Sequence, residues 1–401
     1  MNYPKIQDLD LKGKRVLLRV DFNVPLKESD KGIVVADDTR ITAALPTIQF
    51  VLEQGGKCLL ASHLGRPKGQ RNPKYSLEPV GTHLSTLLGK DVILTEDCVG
   101  DGPRGLSHNM RPGDVLLLEN LRFETGEESN SPVFSQKLAE LCDVYINDAF
   151  GTMHRAHAST EGITHFVEKK GIGLLVQQEL KYLEPLREAP KRPFVLAMGG
   201  AKISDKMGVI EHFLPKVDTL LIGGAMAYAF LRARGYEVGK SLCPEEQIPL
   251  AQKLMKAADA RNVHILLPID HVVAASFDSE KGELTDGENI PGDKMGLDIG
   301  PKTVSLYERP ISQAETIFWN GPMGVFEKPA FSEGTFGIAR AIGASRAQKL
   351  AGGGDCAAAV AASGEEANFD FISTGGGATL EFLEGKNLPG LKALALSKRE
   401  S

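Results

Sequence analysis

Short apolar runs alternate with longer amphipathic stretches along the whole chain. In the first half the runs fall at Arg15–Asp21, Cys58–Ser62, Val115–Glu119 and Val144–Asn147. In the second half they fall at Phe194–Met198, Leu220–Gly223, His264–Leu267, Thr316–Trp319, Lys349–Ala351 and Phe371–Ser373. They read continuously apolar instead of alternating, as strands covered on both faces do, and the helical stretches between them predict parallel sheets. The longest helical pattern, Leu174–Arg187, runs into Glu188-Ala189-Pro190-Lys191-Arg192-Pro193, whose prolines end the helix. The expected fold is α/β: two doubly wound parallel-sheet (Rossmann-like) domains joined by a hinge helix.

The length of 401 residues agrees with two domains, and 42% hydrophobic residues suffice for two cores. Lys and Arg number 46 against 52 Asp and Glu, a net charge of −6 that makes nucleic acid an unsuitable partner. A local basic pocket for a small anion is still open. Cys58, Cys98, Cys142, Cys243 and Cys356 are scattered, with neither zinc spacing nor a disulfide framework, which suits a reducing compartment. The N-terminus has no signal-peptide core, and the longest apolar stretch, Leu220–Leu231, contains Gly223 and Gly224 and is too short to span a bilayer. A cytoplasmic protein without a membrane partner is expected. The polar tail from Lys392 is expected to fray.

Ligands of open α/β sheets bind beyond the carboxyl ends of the strands. In the first half those ends carry Asp21-Phe22-Asn23, His63-Leu64-Gly65-Arg66, Asn120-Leu121-Arg122 and Asp148-Ala149-Phe150-Gly151, the last followed by His154-Arg155-Ala156-His157. Arg40 follows the polar loop Asp37-Asp38-Thr39. A single arginine here would be an ordinary surface ion pair. Several at successive strand ends point to a small substrate with more than one negative group, because guanidinium forks match carboxylate and phosphate. His154 and His157 have a spacing that could hold a metal, but no carboxylate or cysteine falls at a matching local spacing.

The second half answers with glycine: Gly199-Gly200-Ala201-Lys202, Gly223-Gly224, Gly321-Pro322-Met323-Gly324, Gly352-Gly353-Gly354-Asp355 and Gly375-Gly376-Gly377. Glycine at a strand-to-helix turn lets backbone N–H groups approach a phosphate. Close helix–sheet packing would explain any one of these turns; five together indicate a nucleotide. Lys202 and Lys206, four apart at a helix start, are expected on one face, and Asp355 is placed to meet a phosphate-bound Mg²⁺. Two look-alikes are set aside. Gly100–Gly105 spells G-x-G-x-x-G inside a polar loop without a strand-to-helix context, and Gly235–Ser241 is one residue short of a Walker A loop and follows a helix. An arginine-lined anion site and a glycine-lined nucleotide site, without a nucleophile–base pair, describe a small-molecule kinase whose hinge closes to align donor and acceptor. A nicotinamide-dependent oxidoreductase would need the dinucleotide fingerprint after the first strand. A non-catalytic anion-binding protein would not need Lys202, Lys206 and Asp355.

The motifs Arg19-Val-Asp-Phe-Asn-Val-Pro25, Ser62-His-Leu-Gly-Arg-Pro-Lys-Gly69, Asn147-Asp-Ala-Phe-Gly151, His154-Arg-Ala-His-Ala-Ser159, Gly199-Gly-Ala-Lys-Ile-Ser-Asp-Lys206, Trp319-Asn-Gly-Pro-Met-Gly-Val-Phe-Glu327, Gly352-Gly-Gly-Asp355 and Ser373-Thr-Gly-Gly-Gly-Ala378 together resemble the phosphoglycerate kinase family, in order, from about residue 5 to residue 390. The resemblance implies reversible transfer of the 1-phosphoryl group of 1,3-bisphosphoglycerate to Mg-ADP, giving 3-phosphoglycerate and ATP. Another small-molecule carboxylate kinase is the alternative. It implies a 3-phosphoglycerate domain at 1–172, an interdomain helix and connector at 173–190, a nucleotide domain at 191–375, and a C-terminal segment, 376–401, that returns to the first domain of a monomer. Asp21, Phe22, Asn23, Arg40, His63, Leu64, Gly65, Arg66, Arg122 and Arg155 would hold 3-phosphoglycerate. Lys206, Asn320, Pro322, Glu327, Gly353, Gly354, Asp355 and Cys356 would hold the nucleotide, with Glu327 on the ribose and Asp355 reaching Mg²⁺. Gly223, Gly224 and a Gly296-Leu297 turn would flank adenine. Arg40, Lys202, Lys206 and the N–H groups of Gly375, Gly376 and Gly377 would surround the transferring phosphoryl. Two positions depart from the family pattern. Cys356 stands where Ser or Thr is usual, which predicts altered nucleotide affinity and sensitivity to thiol reagents. Met153 replaces an expected Ala and carries no named role.

Overall fold

The structure, a computed structural model, describes residues 2–30 and 32–396. Its strands in the first half are β1 (Arg15–Arg19), β2 (Leu26–Ser29), β3 (Gly32–Val35), β4 (Lys57–Ala61), β5 (Val92–Leu94), β6 (Val115–Leu117), β7 (Val144–Asn147) and β8 (Lys170–Ile172). Those of the second half are β9 (Phe194–Met198), β10 (Thr219–Ile222), β11 (His264–Leu266), β12 (His271–Ala274), β13 (Glu283–Leu284), β14 (Met295–Ile299), β15 (Thr316–Asn320), β16 (Gln348–Gly352) and β17 (Phe371–Ser373).

Two compact units form, one from residues 2–181 and 387–396, the other from Tyr182–Lys386. Each is built on a six-stranded sheet, ordered β5-β6-β4-β1-β7-β8 in the first and β11-β10-β9-β15-β16-β17 in the second. Every neighbouring pair in both sheets is parallel. Strand order reverses around β1 and around β9, the points at which a doubly wound sheet opens a crevice. Each residue of β7, β9 and β15 is buried, because helices cover both faces. Pairing of Arg19 with both Ala61 and Asn147 brings β1, β4 and β7 to one level, so the segments that follow them emerge at a common edge.

Every apolar run singled out in the sequence forms a strand of these two sheets, with ends shifted by at most two residues. The hairpin β2–β3, the edge strands β5 and β8, and the antiparallel sheet β13-β12-β14 were not foreseen. They are short or polar: β2 reads Leu-Lys-Glu-Ser, and β14 has Gly296 and Asp298 inside it. The segment from Gly100 also differs from expectation. Gly100 caps a helix, Asp101–Asn109, although the preceding strand β5 ends six residues earlier, at Leu94.

The helix Leu174–Glu188 passes from one unit to the other between Lys181 and Tyr182. Its first N–H groups are satisfied by side chains: Leu174 donates to Thr47 Oγ1 (3.0 Å) and Val176 to Asp148 Oδ1 (3.2 Å). At the other end of the chain, residues 392–396 of the tail expected to fray are held, Lys392 within the helix Pro389–Leu394 and Leu396 N–H on the Asn2 carbonyl; its remainder, 397–401, lies outside the described residues. That helix rests on the first unit. Gly390 donates to the carbonyl of the fully buried Met153 (3.0 Å), and a Cβ on Gly390 would lie 3.1 Å from Met153 Cγ. Met153, without a role in the sequence reading, is therefore the seat of the returning segment. Among the described residues no helix is long and apolar enough to cross a membrane.

Candidate active site

In the first unit the edge beyond β1, β4, β6 and β7 gathers charged side chains that lie far apart in sequence. Arg40, in the first turn of the helix Thr39–Glu53, donates through Nη1 to Asp21 Oδ2 and to the Asn23 carbonyl, both at 3.1 Å. Asn23 Oδ1 accepts from Gly65 N–H (2.9 Å), and Arg122 Nη1 donates to the Gly65 carbonyl (2.7 Å). Asn120, read in the sequence as part of the site, is wholly buried and acts as a strut. Its Oδ1 accepts from Leu64 N–H (3.2 Å) and Arg122 N–H (3.0 Å), and its Nδ2 donates to the carbonyls of Leu64 (2.7 Å) and Tyr75 (2.9 Å). Arg155 donates through Nε to His154 Nε2 (3.1 Å), and Arg66 is exposed on the loop after His63. The side chains of Phe22 and Leu64 are buried in the core, so only their backbone can meet a ligand.

Beneath this surface lies a network that the sequence reading missed. Arg19, 1% exposed, donates through Nε to Ser159 Oγ (2.8 Å), through Nη1 to the Val20 carbonyl, and lies with Nη2 3.3 Å from His63 Nδ1. Ser159 Oγ donates to Glu127 Oε1 (2.6 Å), and Ser159 N–H to Glu127 Oε2 (2.9 Å). An arginine closing the buried apolar run Val16–Leu18 was the available signal. Its partner Ser159, 140 residues away, gave none. Burial raises the pKa of Glu127, opposed by Arg19 and the hydrogen bonds from Ser159. Burial, and after it the charges of Arg19, Arg122, Arg155 and Arg40, hold His63 well below the ordinary histidine value. His157 is pushed down to about 4, first by burial and then by Arg122, Arg19 and Arg155. Neutral histidines among guanidinium groups make a site for an anion, since the field disfavours further protons. His157 Nδ1 lies 3.9 Å from Glu127 and His154 Nε2 faces Arg155, and the described residues hold no cluster of three metal-ligating side chains.

In the second unit all five glycine turns lie at the carboxyl ends of the sheet, and the structure divides their purpose. A Cβ on Gly199 would lie 2.0 Å from the Pro322 carbonyl oxygen, one on Gly224 2.5 Å from Gly200 N, and one on Gly321 2.4 Å from the Gly199 carbonyl oxygen. Their N–H groups are engaged too: Gly199 donates to Asn320, Gly200 to Pro322, Gly223 to Met198 and Gly224 to Met323. These turns pack against one another, as the plainer reading of glycine requires. Gly354 and Gly376, in contrast, face open space: a Cβ on either would meet no atom within 4 Å. Gly353, at φ +97°, caps the ten-residue helix Gly354–Ser363. Gly375 donates its N–H to Ser373 Oγ (3.2 Å), and Gly377 begins the helix Gly377–Leu383.

Lys206 caps the helix Met207–Phe213, and its half-buried Nζ contacts Asn320 Oδ1, while Asn320 Nδ2 donates to the Gly352 carbonyl. Burial lowers the pKa of Lys206, with Asp205 and Asp355 among the groups that oppose it. Lys202 does not share a helix face with Lys206; it is exposed in the loop before the helix, because the chain turns through Ser204–Lys206 first. Asp355 is exposed in the first turn of Gly354–Ser363, a single carboxylate of the kind that suits an ion already held by phosphate oxygens. Glu327 is exposed after β15, and Pro322 is half-buried. Gly296 and Leu297 form no turn: they lie inside β14, where Gly296 donates to Ser241 Oγ (2.9 Å) and packs under the Tyr228 hydroxyl. Cys356 also departs from expectation. Its Sγ, 3.4 Å from the Trp319 carbonyl, points into the core, and burial pushes the thiol up to about 12. It is neither placed beside a phosphate nor poised for thiol reagents. Only its backbone N–H belongs to the helix start.

The phosphoglycerate kinase family model matches residues 6–386. Phosphoglycerate kinase of Koribacter versatilis is 51% identical, over 98% of this chain and 99% of that protein. That of Acidobacterium capsulatum is 52% identical with the same coverage. Among solved structures, phosphoglycerate kinase from Coxiella burnetii superposes with a TM-score of 0.87 at 40% identity, covering 98% of this chain and 99% of that one. The enzyme from Pyrococcus horikoshii superposes at 0.83 with 31% identity, covering 97% and 98%. With the arginine site and the glycine-lined site each on its own doubly wound sheet, the chain belongs to the phosphoglycerate kinase family.

Proposed function

We propose that the protein moves the 1-phosphoryl group of 1,3-bisphosphoglycerate to Mg-ADP, reversibly, giving 3-phosphoglycerate and ATP. The observation that carries this reading is the pairing of two anion sites of different kind. One is a guanidinium cluster with neutral histidines; the other is an open glycine turn with Lys206 and Asp355 beside it. A β-phosphate oxygen of ADP attacks phosphorus, and the bond to the acyl oxygen breaks, leaving the carboxylate of 3-phosphoglycerate. No protein nucleophile and no proton transfer are required, so the protein contributes position and charge.

In this reading Asp21, Asn23, His63, Arg66, Arg122 and Arg155 hold 3-phosphoglycerate, with the backbone of Phe22, Leu64 and Gly65 shaping the loop. Lys206, Gly353, Gly354 and Asp355 hold the polyphosphate, Glu327 the ribose, and Gly223, Gly224, Asn320 and Pro322 frame the nucleotide pocket. Asp355 and the phosphate oxygens of the nucleotide would hold Mg²⁺, which would supply neutralisation of phosphate charge. Arg40, Lys202, Lys206 and the N–H groups of Gly376 and Gly377 stabilise the transferring phosphoryl. The first unit, with the returning segment, is the acid-substrate domain and Tyr182–Lys386 the nucleotide domain. Movement about the helix Leu174–Glu188 brings the ligands in line, and the protein works as a cytoplasmic monomer.

The test is a coupled assay with 3-phosphoglycerate, ATP and Mg²⁺, in which the bisphosphoglycerate formed is consumed by an NADH-linked dehydrogenase. Turnover that needs Mg²⁺ and collapses in both Arg40→Ala and Lys206→Ala is expected. Folded protein that binds ATP yet turns over a different carboxylate would overturn the substrate assignment.

A further inference from the structure

His63 is the member of the acid site whose hydrogen-bonding role its identity leaves open. A neutral imidazole carries one proton, on either nitrogen, and the partner of one nitrogen decides what the other offers. The partner here is Arg19, whose Nη2 lies 3.3 Å from Nδ1. A guanidinium has donors only, so Nδ1 must accept. The remaining neighbour of Nδ1, Asp21 Oδ1, is 3.9 Å away, and Asp21 is already engaged by Arg40 through Oδ2.

Arg19 is itself fixed in direction. Its Nε donates to Ser159 Oγ, whose hydroxyl donates in turn to Glu127 Oε1, and its Nη1 donates to the Val20 carbonyl. The chain of donors Arg19 to Ser159 to Glu127 is closed at the far end by Ser159 N–H on Glu127 Oε2. A guanidinium 1% exposed, with all three nitrogens engaged, has no free edge for a ligand. We propose that Arg19 is a positioning residue, which locks His63 in the Nε2–H tautomer so that the ring presents a donor to an anionic substrate. Burial and the flanking charges of Arg19, Arg122, Arg155 and Arg40 keep the ring neutral, so that this single proton is retained. The inference rests on the reading that His63 meets 3-phosphoglycerate.

The experiment is long-range ¹H–¹⁵N spectroscopy of the full chain labelled with ¹⁵N-histidine, without ligand, with His63 assigned by difference against His63→Gln. An unprotonated Nδ1 and a protonated Nε2 are expected, unchanged between pH 6 and pH 8. Arg19→Lys keeps a positive charge but loses the fork. It is expected to admit the Nδ1–H form and to raise KM for 3-phosphoglycerate by about three- to tenfold, the equivalent of one hydrogen bond, with kcat within about twofold. A wild-type ring protonated on Nδ1, or on both nitrogens at pH 7, overturns the proposal. So does Arg19→Lys with an unaltered ring and unaltered KM. Should that variant not fold, the wild-type spectrum decides. An Nε2–H ring in a protein inactive on 3-phosphoglycerate would support the lock while refuting the substrate assignment.

Discussion

Replacement of Asn120 by alanine removes one side chain and breaks four hydrogen bonds, two accepted and two donated. The N–H groups of Leu64 and Arg122 and the carbonyl of Leu64 are then left without partners in a buried position, while the Tyr75 carbonyl, half-buried, can turn to water. At ~1–3 kcal/mol for each buried unpaired group, and allowing some relaxation, the loss is about 4 kcal/mol. Activity should suffer in a selective way. Asn120 ties the loop that carries His63 and Arg66 to the backbone of Arg122, so KM for 3-phosphoglycerate should rise while KM for ADP stays within about twofold. Stability is read from urea unfolding followed by far-UV circular dichroism. The single tryptophan, Trp319, lies in β15 of the other unit, so its fluorescence gives a separate record of that unit. A loss below about 1 kcal/mol, or equal rises in both KM values, would refute the strut.

Asp148 is fully buried, caps the helix Leu174–Glu188 through Oδ1, has an unpartnered Oδ2, and is pushed up to about 7 by burial. Its folded pKa exceeds its unfolded one, so the native state holds the extra proton. The group's stabilisation is complete below about pH 4 and fades as pH rises to about 7, by at most about 4 kcal/mol. Asp148→Asn should therefore gain on wild type at pH 8 relative to pH 5 in unfolding midpoints; a pH-independent difference would contradict this. Gly376→Ala meets no atom, but the backbone sits at φ +55°, so a cost of about 1–3 kcal/mol from strain is expected. Gly199→Ala must displace the Pro322 carbonyl and should unfold the second unit at lower urea than Gly376→Ala does; the reverse order would refute the division of the glycines. Cys356→Ser should leave ADP affinity within about twofold, and native protein treated with iodoacetamide should carry no label at Cys356 by peptide mass spectrometry.

The parallel strands were legible because burial on both faces demands an unbroken apolar run, and such a run needs no tertiary knowledge to recognise. Strand β8, Lys170-Gly171-Ile172, carries no such signal; it is held by pairing with β7 and by the carbonyl of Pro4, which accepts from Ile172. The arginine site was legible for a topological reason, since parallel strands deliver their following residues to one edge. Which of those residues face the ligand was not. Asn120 and Arg122 are near neighbours in sequence and both are buried, yet one only ties backbone together while the guanidinium of the other reaches the loop edge at Gly65. Glycine spelled the strand-end turns in letters but could not separate Gly199, which other backbone crowds, from Gly354, which opens outward. Cys356 misled for the same reason: position beside a turn says nothing about the direction of a side chain.

The segment that ends in Leu394 and rests on Met153 has a bearing on how the protein is made. Residues 182–386 form a continuous stretch, whereas the first unit takes in residues on both sides of it in sequence. The unit begun first in synthesis therefore includes a segment made only after the whole of the second unit, and the Leu396 N–H of that segment meets the Asn2 carbonyl at 3.0 Å. Order of synthesis and order of completion are thus reversed: the contacts that residues 387–396 make on the first unit cannot form until residues 182–386 have been made.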